Sequence, residues 1–298
     1  MNRHAYLLLP YNNPDLLKKL IKLLDDPRND IYVHVDAKSD FPMEIFENLT
    51  IHSKLYVMAR IKVLWADWSE TKALLNMLYT ALNNEEYSYY HFLSGMDLPL
   101  KTQDEIHHIL DNSGKEFIGI VPNESKYNID HVRFYYPLLK LNSFKTNKVL
   151  KVLNEALVLL QRIIGINRVK KIRKQGYKFY DGWGWCSITN QFAKYVYNNH
   201  DFIEEIFKHS KCPDEMVLQT LAMNSEFKNN LHCITDLKEG SMRFIDWERG
   251  RPYTWQENDF DELVNSPYLF ARKFDPAKDS KIIDMIYNDV MNKQTSKN

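Results

Sequence analysis

Through the first 120 residues, short apolar runs alternate with longer stretches at helical spacing, and no other feature restricts the fold as much. "AYLLLPY" reads as a buried strand, and "NPDLLKKLIKLLDD" as an amphipathic helix opening at a polar cap. "DIYVHVDAKSD" is a second strand, ending in His34, Asp36 and Lys38. A short strand follows at "KLYVMA", then the helix "WSETKALLNMLYTALNN". "YSYYHFLSGMDLPL" runs as a strand into a glycine-containing turn, "TQDEIHHILDN" is a helix, and "KEFIGIV" is a further strand. This alternation predicts an α/β fold with a mostly parallel central sheet flanked by helices. In such sheets, ligands sit beyond the carboxyl ends of the strands. Polar residues gather at two of those ends, "HVDAKSD" and "SGMDLP".

Residues 145–175 differ in character. "KTNKVLKVLNEALVLLQRIIGI" is helical and rich in Leu, Val and Ile, and "NRVKKIRK" adds five basic residues, Arg168, Lys170, Lys171, Arg173 and Lys174. No repeat, low-complexity tract or linker appears. The chain therefore reads as one domain over 1–290, with a helical insertion at about 140–178 and a frayed tail at 291–298. An apolar helix beside a basic cluster suits peripheral contact with an anionic membrane. The competing reading is a helix packed on the domain with its charges solvated.

Composition removes several function classes. Lys and Arg number 39, as do Asp and Glu, and a chain without net charge is not a general nucleic-acid binder. Cys186, Cys212 and Cys233 have no CxxC spacing, so neither a disulfide framework nor a zinc site is implied, and a reducing compartment fits. The first apolar run is short for a signal segment and is broken by Pro10. No stretch reaches the roughly 20 apolar residues that span a bilayer, and a cytoplasmic location is expected. GxGxxG after the first strands, a P-loop and GxSxG are all missing, which removes dinucleotide, P-loop and nucleophile-elbow chemistry. His107 and His108 are adjacent on a helix and point apart, so they read as surface residues and not as ligands.

An Asp-x-Asp metal motif is also missing. Asp97 stands alone in "SGMDLP", and Asp36 and Asp40 lie four residues apart. A diphosphate would then be held by fixed cations, and "RGRPYTW" offers Arg249 and Arg251 while "LFARKFDP" offers Arg272 and Lys273. Arg grips phosphate bidentately and Lys acts as a point charge, so together they can stabilise a departing diphosphate. The 13% aromatic content suits either a tyrosine-rich core or a site for sugar faces. In "HSKCPDEMVLQTLAMN", Pro213 fits a first helical position, and Asp214 and Glu215 complement the helix dipole. On spacing alone, a helix start and a catalytic base both remain open.

Seven stretches, in order along the chain, resemble the core 2/I-branching β-1,6-N-acetylglucosaminyltransferases and the related peptide O-xylosyltransferases. They are "YVHVDAKS", "VLWADWSETKALLNML", "YYHFLSGMDLPLKTQDEI", "GWGWCSITNQFAKYV", "CPDEMVLQTL", "RFIDW" and "LFARKFD". The resemblance implies a GT-A type nucleotide-sugar fold. It implies inverting, metal-independent transfer of a sugar, N-acetylglucosamine first, from a UDP-sugar to a saccharide hydroxyl, with no cofactor. It matches Glu215 to the family's catalytic base, with Asp214 orienting, and Arg251 and Lys273 to its diphosphate-binding cations. Asp36, Trp65 and Asp97 become donor-binding candidates. Trp185 and Trp247 become acceptor platforms, with Arg133 and Tyr135 of "RFYY" as further acceptor candidates. Pro10 and Tyr11 stand where relatives often carry Ala-His. The stem, membrane anchor and Cys-rich pattern of the animal Golgi enzymes are missing, which points to a soluble bacterial member in surface polysaccharide synthesis. Its acceptor would be a saccharide or a lipid-linked saccharide, met at the inner face of the cell membrane. Use of UDP-xylose or UDP-glucose is an alternative within the fold; a non-catalytic saccharide-binding module is one outside enzymes.

Overall fold

Strand β1 (His4–Leu9) is buried at all six positions, because a central parallel strand is covered on both faces. It runs parallel to β2 (Asn29–Val33), β3 (Lys54–Val57) and β4 (Tyr89–Ser94), and a short β5 (Asp97–Pro99) turns back after β4. β6 (Ser187–Thr189) joins the first sheet antiparallel to β4, giving the order β3-β2-β1-β4-β6. β7 (Arg243–Ile245) and β8 (Phe270–Arg272) form a second sheet with β5, ordered β5-β8-β7. The computed structural model describes residues 2–124, 126–141 and 145–296. The α/β architecture and the mostly parallel central sheet match the expectation from the sequence.

The helices are α1 (Pro14–Leu24), α2 (Trp68–Asn84), α3 (Gln103–Ser113), α4 (Lys126–Arg133), α5 (Lys148–Ile163) and α6 (Lys170–Lys174). They continue with α7 (Asn190–Asn198), α8 (His200–Phe207), α9 (Val217–Met223), α10 (Leu237–Ser241), α11 (Phe260–Val264) and α12 (Lys281–Thr295). Alternation along β1 sends Tyr6 and Leu8 to one core, with Leu17 and Leu20 of α1, Ile106 of α3 and Ile286 of α12. Leu7 and Leu9 go to the other, with Leu74 and Leu78 of α2, Phe192 of α7 and Leu221 of α9. Side-chain caps fix the helix starts that face the sheet ends. Asp67 accepts from the Ser69 amide at 2.9 Å, and Thr102 and Glu105 form a reciprocal capping box on α3.

Three expectations change. "KEFIGIV" is no regular strand; Glu116, Phe117 and Ile120 make single bridges to Leu231, Ser187 and Gly182. The segment crosses between edges, so its backbone groups find partners in three different places. His107 is buried, its Nε2 2.8 Å from Asn29 Oδ1 and its ring stacked on His4, while His108 stays exposed. The two histidines do point apart, but α3 turns one of them into the core. The tail expected to fray from 291 is helical to Thr295: Ile282, Ile283, Ile286 and Val290 seat α12, and Lys293 pairs with Asp289. Residues 297 and 298 lie outside the described residues. The 140–178 stretch contributes α5 and α6, with 142–144 outside the described residues.

Candidate active site

The carboxyl ends of the strands open onto one cleft of about 580 Å³. Leu9 ends β1 and Pro10 and Tyr11 follow it, Asp36 and Lys38 follow β2, and Ser94 ends β4. Ile245 and Trp247 come from β7 and its continuation, Arg272 and Lys273 from β8 and the residue after it. The facing wall is made by Trp65, Ala66 and Glu70 at the start of α2, by Trp183–Trp185, and by Cys212, Asp214 and Glu215. A larger hollow of about 840 Å³ lies at the amino ends of β1 and β4, but most of its charges are already paired. Arg3 bonds Asp30 and Glu85, Glu86 bonds Lys194, and Asp111 bonds His4. The smaller cleft is the chemical one: Asp36 pairs with Lys38 and Arg272 with Asp97, but Glu215, Arg251 and Lys273 form no ion pair among the described residues.

The wall that carries Glu215 is built from backbone contacts. Cys212 takes a left-handed conformation (φ 48°), Pro213–Glu215 make a single 3₁₀ turn, and the chain breaks at Met216 before α9 begins. Pro213 does open a helical turn, but the acidic pair sits in that isolated turn and not in the first turn of α9. The Gly182 amide donates to the Glu215 carbonyl at 2.9 Å, and the Cys212 amide to the Ala66 carbonyl at 2.9 Å. Gly182 has to be glycine here, since a Cβ would fall 1.9 Å from the Gly119 carbonyl oxygen. The "GWGWC", "CPDE" and "WADW" stretches thus meet through hydrogen bonds in one wall.

Three carboxylates crowd that wall. Glu215 opens into the cleft, and Asp214 and Glu70 are half-buried. Asp214 Oδ1 has no hydrogen-bond partner. Loss of water raises the Glu215 carboxyl above its ordinary value, and the charges of Asp214 and Asp181 raise it further. Burial likewise raises Glu70, with Asp214 and Glu215 adding to it and Arg272 and Lys145 opposing. Asp214 is raised by burial. A carboxylate with heightened proton affinity, open to a cleft, is suited to accept a proton near neutral pH.

The cations divide sharply. Arg251 and Lys273 line the cleft with no ion-pair partner among the described residues. Arg249 is spent elsewhere, shared between Asp246, Asp259 and Glu262 and stacked on Tyr253 and Trp255. Arg272 lines the cleft with its guanidinium 4.9 Å from the Trp185 ring, and its Nη1 donates to Asp97 at 2.9 Å and to the Ser94 hydroxyl.

Other candidates are sorted by the same geometry. Asp36 lines the cleft, but its Oδ1 already accepts the Lys38 and Val63 amides, at 2.9 and 3.1 Å. Trp65 and Trp247 expose about half their surface to the cleft, as platforms would, whereas Trp185 packs against the core beneath Arg272. Asp97 does not line the cleft: it is only 1% exposed, accepts from the Ser94 amide and hydroxyl, and holds Arg272. Arg133 and Tyr135 also do not line the cleft. Arg133 pairs with Asp130, and Tyr135 stacks under Arg168 beside a separate hollow of about 260 Å³. α4 and the chain after it pack toward α5 and α8, away from the strand ends. Glu70 was missed, since three turns of apolar spacing disguise it as an ordinary first-turn acid of α2. Among the described residues, His4, His107 and Asp111 form the group able to ligate a metal, and it lies at the opposite end of the sheet.

The chain is similar to known proteins over most of its length. The family model described as Core-2/I-Branching enzyme matches residues 4–264. A β-1,3-galactosyl-O-glycosyl-glycoprotein β-1,6-N-acetylglucosaminyltransferase of Bos taurus is 23% identical over 304 residues, covering 91% of this chain and 65% of the relative. Xylosyltransferase 2 of Homo sapiens is 22% identical over 306 residues, covering 95% of this chain and 33% of the relative. The chain thus spans 65% or less of the length of these curated relatives. The apo-form glycosyltransferase GlyE in Streptococcus pneumoniae TIGR4 shares 13% identity over 54% of this chain and 39% of that one, at a TM-score of 0.26. That likeness is too low to carry weight.

Proposed function

The chain belongs to the Core-2/I-branching enzyme family, and from that premise we propose that it transfers a sugar from a UDP-sugar to a saccharide hydroxyl, inverting the anomeric centre without a metal. N-acetylglucosamine is the first choice of sugar, as in the name of the Bos taurus relative. The observation that carries the reading is the meeting, in one cleft, of Glu215 with Arg251 and Lys273. Their chemistry is complementary. The acceptor oxygen attacks the anomeric carbon from the face opposite the nucleotide, and a new C–O bond forms as the bond to the β-phosphate oxygen breaks. Glu215 takes the hydroxyl proton, and the electron pair leaves on UDP beside the two cations. General-base help of this kind contributes about 10²–10⁴-fold. Trp65 and Trp247 offer apolar faces to the sugar and base rings.

The name of the Homo sapiens relative keeps a second donor, UDP-xylose, in view. A panel of UDP-sugars and saccharide acceptors, read as UDP release with and without EDTA, tests the whole reading. Release with UDP-N-acetylglucosamine that persists in EDTA is the expected result. Greater release with UDP-xylose or UDP-glucose would reassign the donor. Loss in EDTA, restored by Mn²⁺, would overturn the metal-free step. Tight UDP binding with no turnover on any donor would leave a saccharide-binding module.

A further inference from the structure

Helix α5 is built inside out. Its buried residues are Asn154, Val158 and Gln161, and Gln161 bonds both the amide and the carbonyl of Tyr135. The large aliphatic side chains face away from the protein: Val149 is 66% exposed, Val152 68%, Leu160 52%, Ile163 73% and Ile164 63%. At 100° per residue, these positions fall on one stripe, opposite the seam on which the helix rests. An apolar stripe of this size turned to solvent marks a contact surface, not a packing error.

Charge decides what covers it. Residues 145–174 hold nine Lys and Arg against a single Glu, leaving 30 basic and 38 acidic residues elsewhere in a neutral chain. Three of the nine serve the fold: Arg162 pairs with Asp130, Arg168 bonds the carbonyls of Val132 and Ile206, and Arg173 pairs with Glu124. Lys148, Lys151, Lys170, Lys171 and Lys174 are exposed, with no ion-pair partner among the described residues. A second copy would bring the same positive charge face to face. An anionic lipid surface complements both features, taking the aliphatic stripe into its acyl boundary and the lysines at its headgroups. We propose that α5 and the lysines at its two ends dock this protein on an anionic membrane. Lys145, just before α5, lines the active-site cleft with its Nζ 6.0 Å from the Trp65 ring centre. The docked helix therefore adjoins the cleft mouth, which suits an acceptor saccharide carried on a lipid. That last step rests on the glycosyltransferase reading above; the docking does not.

The test is co-sedimentation of the full chain with phosphatidylcholine vesicles and with phosphatidylcholine–phosphatidylglycerol vesicles. The expected result is binding to the anionic vesicles alone, lost at high salt and weakened about tenfold or more by Lys170→Glu with Lys171→Glu. Val152→Glu and Ile163→Glu should weaken it comparably, while UDP release from a free donor, measured without vesicles, stays at the wild-type level and shows that the variants fold. Equal recovery in the supernatant with both vesicle types would overturn the docking. So would a concentration-dependent dimer that Ile163→Glu dissociates, because α5 would then belong to a second copy. Vesicle binding without any UDP release would uphold the docking and sink the catalytic reading instead.

Discussion

Glu215 is an exposed side chain whose carboxyl nevertheless holds its proton more tightly than usual, because the wall around it is poor in water and rich in acid. Glu215→Gln keeps the shape and removes the base, so turnover should fall by about two to four decades while UDP affinity stays near wild type. Near-normal turnover in that variant would return Glu215 to a merely structural turn. The base must be ionised to work, so the acid limb of kcat/KM should lie above the ordinary glutamate value of about 4.3. Asp214→Asn removes a neighbouring negative charge and should move that limb to lower pH; an unmoved limb would uncouple Asp214 from the base. The cations separate in the same way. Arg251→Ala or Lys273→Ala should lower kcat, since the leaving diphosphate loses a partner. Arg249→Ala should leave turnover intact and lower the melting temperature instead, because Asp246, Asp259 and Glu262 lose the cation they share. A turnover loss in Arg249→Ala equal to that in Arg251→Ala would contradict this division.

Elements, not single residues, hold the catalytic wall. Gly182 joins two of them: its amide reaches Glu215, and its α-carbon lies against the Gly119 backbone. Gly182→Ala must push one backbone away from the other. It should cost roughly 2–3 kcal/mol of stability, and turnover should fall with it although no side chain of the cleft has changed. An unaltered denaturation midpoint and rate would show that the wall yields without consequence. α5 and α12 make a second contrast between elements. Both are amphipathic, yet α12 turns Ile282, Ile286 and Val290 inward, and α5 turns Val152 and Ile163 outward. The pattern of a helix fixes that it has an apolar face; its neighbours fix where that face points.

Across the whole molecule, two sets of groups with shifted proton affinity pull stability in opposite directions with pH. Glu116 is fully buried, bonded to the amide and hydroxyl of Thr189, and pushed up to about 7 by burial. With Glu70 and Glu215, also raised, the folded chain keeps protons that the unfolded chain releases above the ordinary carboxylate range. These groups therefore lose stability as pH rises toward their folded values. His4, His91 and His107 are lowered by burial, so the unfolded chain binds more protons below about 6.5 and stability falls as pH drops. Above that value, the histidines are neutral in both states and the raised carboxyls act alone. Melting temperature should decline from pH 6.5 to 8, and a steady rise over that interval would count against the raised carboxyls.

The sequence by itself determined the class of fold, since fully apolar runs such as "AYLLLPY" alternating with helical spacing leave few arrangements that bury both. Glu215, Arg251 and Lys273 came forward through the family resemblance of short stretches; spacing alone left Glu215 open as a helix start and did not separate Arg251 from Arg249. It did not show that "KEFIGIV" would split its bonds among three partners, that Asp97 would sink beneath Arg272, or that Arg133 and Tyr135 would turn toward α5. Glu70 lies beside Asp214 and Glu215 across more than 140 residues of chain, and Arg249 differs from Arg251 only in which carboxylates surround it. Periodicity and caps act within a few turns of backbone, so the sequence displays them directly. Charge pairing, desolvation and the direction of an apolar face depend on what other elements bring alongside, and only the tertiary structure decides that.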